Sequence, residues 1–267
     1  MHAYKKFLAE NDEYITSIVY RKKLFPSLYF YLIHVLRIVF YSNRQAVKKK
    51  YDDINWVNSS LDILESIEKI GVKIHVTGMN NLKKVDGPVV FISNHMSILE
   101  TFLFPSFIQQ VKKVIYVIKA ELSTFPLFGP VAMARYPIVV GRENPKEDLM
   151  TVLNVGSERI KEGYSIIIFP QRTRSKIFNP AMFNSLGIKL AKRNNIPVIP
   201  IAIVTDAWGN GKLIKEFGKI DPSKEVRIAF GEPMIITGTG NEQHEKSIEF
   251  ISNKLTVWGR SDLISSI

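Results

Sequence analysis

The feature that most constrains this chain is the alternation, from about residue 72 onward, of short apolar runs with helical patterns. Strand-like runs occur at Val72 to Val76, Pro88 to Ser93, Val114 to Ile118, Pro137 to Val140, Ser165 to Phe169, Val198 to Ile203 and Val226 to Phe230. Helical spacing of apolar residues predicts helices between them at about Ser97 to Gln110, Lys146 to Lys161 and Met182 to Asn194, with another at Glu242 to Trp258. Alternation of this kind belongs to strands buried beneath helices on both faces. It predicts an α/β fold with a mixed, largely parallel sheet flanked by helices. Chemistry in open sheets of this class collects at the carboxyl ends of the strands, so the residues that follow each run carry the functional argument.

The second run ends in Ser93-Asn94-His95-Met96-Ser97-Ile98-Leu99-Glu100. An imidazole accepts a proton near neutral pH, and a carboxylate on its other ring nitrogen fixes the tautomer. On one continuous helix two residues five apart point about 140° away from each other. His95 and Glu100 therefore converge only if His95 precedes the first turn and Glu100 lies inside it, reaching back toward the strand end. Asn94 or Ser93 is expected to cap that helix, with Ile98, Leu99, Phe102 and Leu103 as its apolar face. A histidine satisfied within its own turn is the competing reading.

Two further runs end on arginine. Gly141-Arg142-Glu143-Asn144 follows Val140, and Pro170-Gln171-Arg172-Thr173-Arg174-Ser175 follows Phe169. Guanidinium groups grip phosphate oxygens through paired hydrogen bonds, and the Thr173 and Ser175 hydroxyls add donors. An anion site beside the histidine is expected. Solvated arginines paired with surface carboxylates are the alternative.

Residues 1–70 read differently. Leu24 to Tyr41 is apolar and aromatic, interrupted by His34 and Arg37, with Pro26 suited to a first helical turn. Basic residues flank it, Arg21-Lys22-Lys23 before, and Arg44 with Lys48-Lys49-Lys50 after. This combination favours a helix lying in a membrane interface, over a full span or an ordinary core helix. A second helix is expected from Ile54 to Ile70, ended by Gly71. The expected organisation is a membrane-associating helical region at 1–70 and an α/β domain at 71–267. The net charge of +11 fits a partner carrying phosphates: nucleic acid, an anionic membrane surface or a phosphorylated small molecule. No nucleic-acid motif is visible. The chain has no cysteine, which excludes disulfides, thiolate ligands and cysteine nucleophiles, and its histidines lack metal-ligand spacing.

Taken together, four blocks resemble the glycerolipid acyltransferases. They are Asn94-His95 with a carboxylate at Glu100, Arg142 after a β run, Phe169-Pro170 with Thr173-Arg174-Ser175, and Val198-Ile199-Pro200-Ile201. Lys119-Ala120-Glu121-Leu122, Phe183 with Gly187, and Phe230-Gly231-Glu232-Pro233 extend the likeness over about Val72 to Met234. The branch that acylates 1-acylglycerol 3-phosphate is the nearest. The resemblance implies transfer of a fatty acyl group from a thioester, acyl coenzyme A or acyl carrier protein, to a lysolipid hydroxyl at the cytoplasmic face of a membrane, without metal or organic cofactor.

On that resemblance His95 is the general base and Glu100 its orienting partner. Arg142 and Arg174 hold the acceptor phosphate, and Asn94, Lys119, Gln171, Arg172, Thr173 and Ser175 complete the substrate-binding set. The family usually has Asp where this chain has Glu100, and Glu-Gly where it has Gln171-Arg172. The second change raises local charge and points to a more anionic head group, or to another lysophospholipid or lyso-aminolipid. A lipid-binding protein without turnover is the remaining alternative.

Overall fold

In the computed structural model, residues 11–17, 24–171, 173–211 and 215–265 are described. Among these residues eight strands form one sheet: β1 (Tyr14–Ile15), β2 (Ile74–Thr77), β3 (Val90–Ser93), β4 (Val114–Lys119), β5 (Ile138–Val140), β6 (Ser165–Ile168), β7 (Val198–Val204) and β8 (Val226–Phe230). Their order is β1-β2-β8-β7-β3-β6-β4-β5. Strands β7, β3, β6, β4 and β5 run parallel to one another. The β7–β8 and β1–β2 pairs are antiparallel, so the sheet is mixed and largely parallel, as expected. Strands β3, β6 and β7 are rich in Val, Ile and Phe and buried along their whole length, which is why they read as unbroken apolar runs.

The helices are α1 (residues 26–47), α2 (Asp53–Lys69), α3 (Leu99–Ile108), α4 (Ala120–Ser123), α5 (Phe128–Met133), α6 (Pro145–Lys161), α7 (Leu186–Asn194) and α8 (Asn241–Val257). Local chemistry sets several boundaries. Asp52 caps α2 by accepting the Asn55 N–H at 2.8 Å, and Asn144 caps α6 with Pro145 in its first turn. Helix α7 lies close on β3 at Gly187, where a Cβ would stand 2.8 Å from Ile92 Cγ1. Only glycine permits that approach, one turn of chain away from the His95 strand end.

The N-terminal segment runs past the expected Tyr41 to Val47, and its residues Phe30–Val35 are wound as a π-helix. Phe30 and Val35 are buried, while Leu28, Leu32, Phe40 and Tyr41 face outward. Among the described residues no helix is long and apolar enough to cross a membrane. Phe30, Leu61 and Leu64 join Phe91, Phe104 and Ile199 in one continuous core, so the first 70 residues share their packing with the sheet. The Arg21-Lys22-Lys23 flank lies outside the described residues.

Two helix starts differ from expectation. The helix expected from Ser97 begins at Leu99, because Ser97 Oγ and the Glu100 carboxylate bind the N–H groups that precede its first turn. The helix expected from Met182 begins at Leu186, after a separate 3₁₀ turn over Pro180–Met182.

Candidate active site

The parallel strands place the ends of β3, β4, β5, β6 and β7 along one edge of the sheet. His95 stands two residues beyond β3, and Glu100 lies in the first turn of α3. His95 Nδ1 is 2.8 Å from Glu100 Oε1. That bond to a carboxylate assigns the proton to Nδ1 and leaves Nε2 as the basic nitrogen. Glu100 is fully buried, and its remaining acceptor capacity is filled. Oε1 accepts the Met96 N–H at 2.7 Å and the Ser97 N–H at 2.9 Å. Oε2 accepts the hydroxyls of Ser97 at 2.9 Å and Thr205 at 2.7 Å. Burial pushes the Glu100 carboxyl up, but the hydrogen bond and charge of His95, with Thr205, outweigh it and hold it below the usual carboxylate range. The group is thus an ionised, immobile partner for the imidazole.

Phe169 stacks on the other side of that imidazole, with centroids 4.0 Å apart and planes inclined by 19°. Phe169 and Thr205 were not singled out from the sequence as parts of the base. Both stand directly after strands, β6 and β7, which is the positional signal that identifies them.

Asn94 does not cap α3. Its side chain bridges to β7, donating to the Ile203 carbonyl at 3.0 Å and accepting the Ile203 N–H at 2.9 Å. Ser93 Oγ instead donates to the Asn94 carbonyl at 2.9 Å. Gln171 is buried, and its Oε1 accepts the His95 N–H at 2.9 Å. Ser175 donates its backbone N–H to the His95 carbonyl at 2.8 Å, and its hydroxyl bonds the Ile177 carbonyl at 2.7 Å. Of these residues expected to bind substrate, Gln171 and Ser175 therefore hold the histidine's own backbone, and Asn94 ties its strand end to β7. Their donors and acceptors are taken up by the protein because a turn this close to a buried strand end must satisfy its backbone groups.

His95 lines a cavity of about 880 Å³. Part of the lining is apolar and aromatic, with Ile38 and Val39 of α1, Trp56 and Ile63 of α2, Phe102, Tyr116 and Phe128. The rest includes Lys119, Arg142, Thr173, Arg174 and Lys215. Arg142 follows β5 with a left-handed φ of 68°, and its backbone N–H donates to Asp148 Oδ1 at 3.2 Å. Burial lowers the Arg142 pKa; Asp148 and Glu121 raise it, and Arg174 lowers it further. The two guanidinium groups are thus close enough for their charges to oppose each other. Arg174 is largely buried and pairs with Glu216 Oε1 at 2.5 Å through Nη2, while its buried Nη1 has no hydrogen-bond partner.

Lys119 pairs with Glu121 at 2.6 Å, and the Thr173 hydroxyl is 3.4 Å from Lys215 Nζ. Arg172 lies outside the described residues. Phe125 and Phe128 also line the cavity, whereas Met79 and Met96 are packed in the core. The site can take a proton from a hydroxyl, shelter a long apolar group and hold an anion, all within one cavity.

The acyltransferase family model matches residues 73–204. Over 204 residues the chain is 31% identical to a 1-acyl-sn-glycerol-3-phosphate acyltransferase of Pseudomonas aeruginosa, covering 76% of this chain and 73% of that one. A chloroplastic 1-acyl-sn-glycerol-3-phosphate acyltransferase of Brassica napus, BAT2, is 28% identical over 163 residues, which is 61% of this chain and 45% of its own length. The crystal structure of the 1-acyl-sn-glycerophosphate (LPA) acyltransferase PlsC of Thermotoga maritima shares the fold, with a TM-score of 0.62 at 22% identity over 88% of this chain and 95% of that one.

Proposed function

The chain belongs to the acyltransferase family, and from that premise we propose that it moves a fatty acyl group from acyl coenzyme A or acyl carrier protein to the free hydroxyl of 1-acylglycerol 3-phosphate. The reading rests on one observation above the others: the His95–Glu100 pair opens on a cavity lined by both aromatic rings and arginines.

In this mechanism His95 Nε2 takes the proton of the acceptor hydroxyl as its oxygen attacks the thioester carbonyl carbon. Glu100 holds the ring and stabilises the imidazolium that forms. The tetrahedral intermediate collapses with cleavage of the carbon–sulfur bond, and the leaving thiolate takes the proton back from His95. Arg142 and Arg174 hold the acceptor phosphate, and the Thr173 hydroxyl is the donor at hand for the oxyanion. Gln171 supplies the hydrogen-bond acceptor that the family's glutamate supplies in that block, and it is spent on the His95 backbone. This favours a phosphatidate-type acceptor over a redirected specificity.

Residues 1–70 serve as the membrane-docking region and 71–267 as the acyl-transfer domain. The outward apolar face of α1, with Leu28, Leu32 and Phe40, lies in the interface of the cytoplasmic leaflet, while Ile38 and Val39 of the same helix border the cavity. An acyl chain can then pass from lipid to cavity along one helix.

The test is acyl transfer by purified protein, from long-chain acyl coenzyme A and from acyl carrier protein, to a panel of lysolipids. Turnover is expected with 1-acylglycerol 3-phosphate and loss of it in His95→Ala. Vesicle binding without turnover on any acceptor would instead identify a lipid-binding protein.

A further inference from the structure

Arg174, the more buried of the two strand-end arginines, is already occupied. The Glu216 carboxylate pairs with its Nη2 at 2.5 Å, while the buried Nη1 of the same guanidinium has no partner. The group is therefore half-satisfied, with one nitrogen on a protein carboxylate and one waiting. The Glu216 carboxylate meets it at one point only, whereas a phosphate in its place could meet both nitrogens.

The backbone around Glu216 is anchored independently of its carboxylate. Trp208 Nε1 donates to the Glu216 carbonyl at 3.0 Å, and the Tyr31 hydroxyl donates to the Gly218 carbonyl at 2.6 Å. The Ile220 N–H donates to Ser27 Oγ at 2.8 Å. Phe217 packs its ring 5.3 Å from that of Tyr31. Release of the carboxylate from Arg174 thus requires rotation of one side chain, with no need to move the segment that carries it. The neighbouring Lys215, with Nζ 3.4 Å from Thr173 Oγ1, and Arg142 remain as cations about the vacated place. Asp148 and Glu121 face Arg142 and Lys119, so Glu216 is the carboxylate on Arg174.

We propose that Glu216 is a resident competitor for the acceptor's phosphate: it neutralises Arg174 in the empty site and is displaced when a phosphate-bearing ligand enters. This rests on the proposed acceptor class. Displacement draws on the binding free energy of every ligand that needs Arg174, by one common factor, because the closed arrangement must first be given up. Ligands without an anionic group at that position do not draw on it at all.

The experiment compares wild type, Glu216→Gln and Glu216→Asp, each checked for an unchanged melting temperature. KM for 1-acylglycerol 3-phosphate and the inhibition constant of inorganic phosphate against it are measured together, with glycerol 3-phosphate binding followed by calorimetry. For Glu216→Gln all three are expected to fall by about the same factor, roughly 5-fold for a partly exposed pair, and Glu216→Asp is expected to lie nearer wild type. The KM for acyl coenzyme A, whose phosphates the proposal does not seat on Arg174, is expected to stay in place. Constants that rise or stay unchanged in a folded Glu216→Gln protein would overturn the proposal and make Glu216 a support for Arg174. If no lysolipid is acylated by the wild type, the acceptor reading fails by itself, and the glycerol 3-phosphate arm still decides: tighter binding by Glu216→Gln upholds the competitor, and equal, weaker or undetectable binding by both proteins overturns it.

Discussion

The two polar ends of the cavity are built on opposite plans. At the His95 end every partner is fixed: Glu100 is fully buried and accepts hydrogen bonds from His95, Met96, Ser97 and Thr205, and the imidazole is stacked on Phe169. At the arginine end the charged groups sit on loops, pair through exchangeable side chains and leave Arg174 Nη1 without a partner. On the proposed function, the difference follows from what each group of residues has to do. A general base must hold its geometry through the reaction, and preorganisation comes from satisfying every group around it. A phosphate site must be empty before it is full, so its cations cannot be permanently committed.

The sharpest way to break this comparison is His95→Ala. It is expected to lower kcat by about 10²- to 10⁴-fold, with little change in the acceptor's KM. A comparable loss in KM would mean that the histidine also binds. Glu100→Ala comes next. It strands buried N–H and hydroxyl donors of Met96, Ser97 and Thr205, and is expected to cost about 3 kcal/mol of stability in denaturant titration besides its activity. Arg174→Ala is expected to raise the acceptor's KM about 10-fold while stability changes little, since a displaceable partner contributes little to the fold.

The pH dependence sharpens the same contrast. The Glu100 carboxyl is held below the usual range, so its contribution to stability is complete above the unfolded-state value, about 4.3, and is lost as pH falls through its lower folded value. Acid unfolding of Glu100→Gln followed by circular dichroism is expected to be flatter than wild type in that window. The smallest effect belongs to Arg142→Gly. The left-handed φ of 68° costs an arginine about 1 kcal/mol that glycine does not incur, offset in part by glycine's greater freedom when unfolded. Melting temperature is expected to hold or rise slightly while the acceptor's KM rises.

The fixed end was largely legible in the sequence, because its two principal residues lie five apart after an apolar run and their convergence is a matter of local geometry. What was not legible came from far along the chain. Thr205 reaches Glu100 from the end of β7, and Asn94 is drawn across to Ile203 in place of capping the helix. Gln171 and Ser175 read as ligands because amide and hydroxyl groups serve either purpose. Their use on the His95 backbone emerges only when β3 and β6 are paired. At the other end Arg142 and Arg174 announce themselves at strand ends, but Glu216 sits in a segment with no periodic signal, and its pairing with Arg174 is a product of the fold. The two-residue strand β1 and the short helices α4 and α5 fall below the length at which periodicity speaks.

The sheet is bordered by its two shortest strands, β1 with two residues and β5 with three. An exposed strand edge is a template on which another chain can add itself, and the hazard grows with the length of unpaired backbone offered. Such brief borders offer a neighbour almost nothing to register against. At high local concentration, that brevity protects against edge-to-edge polymerisation without any charged guard residue being required.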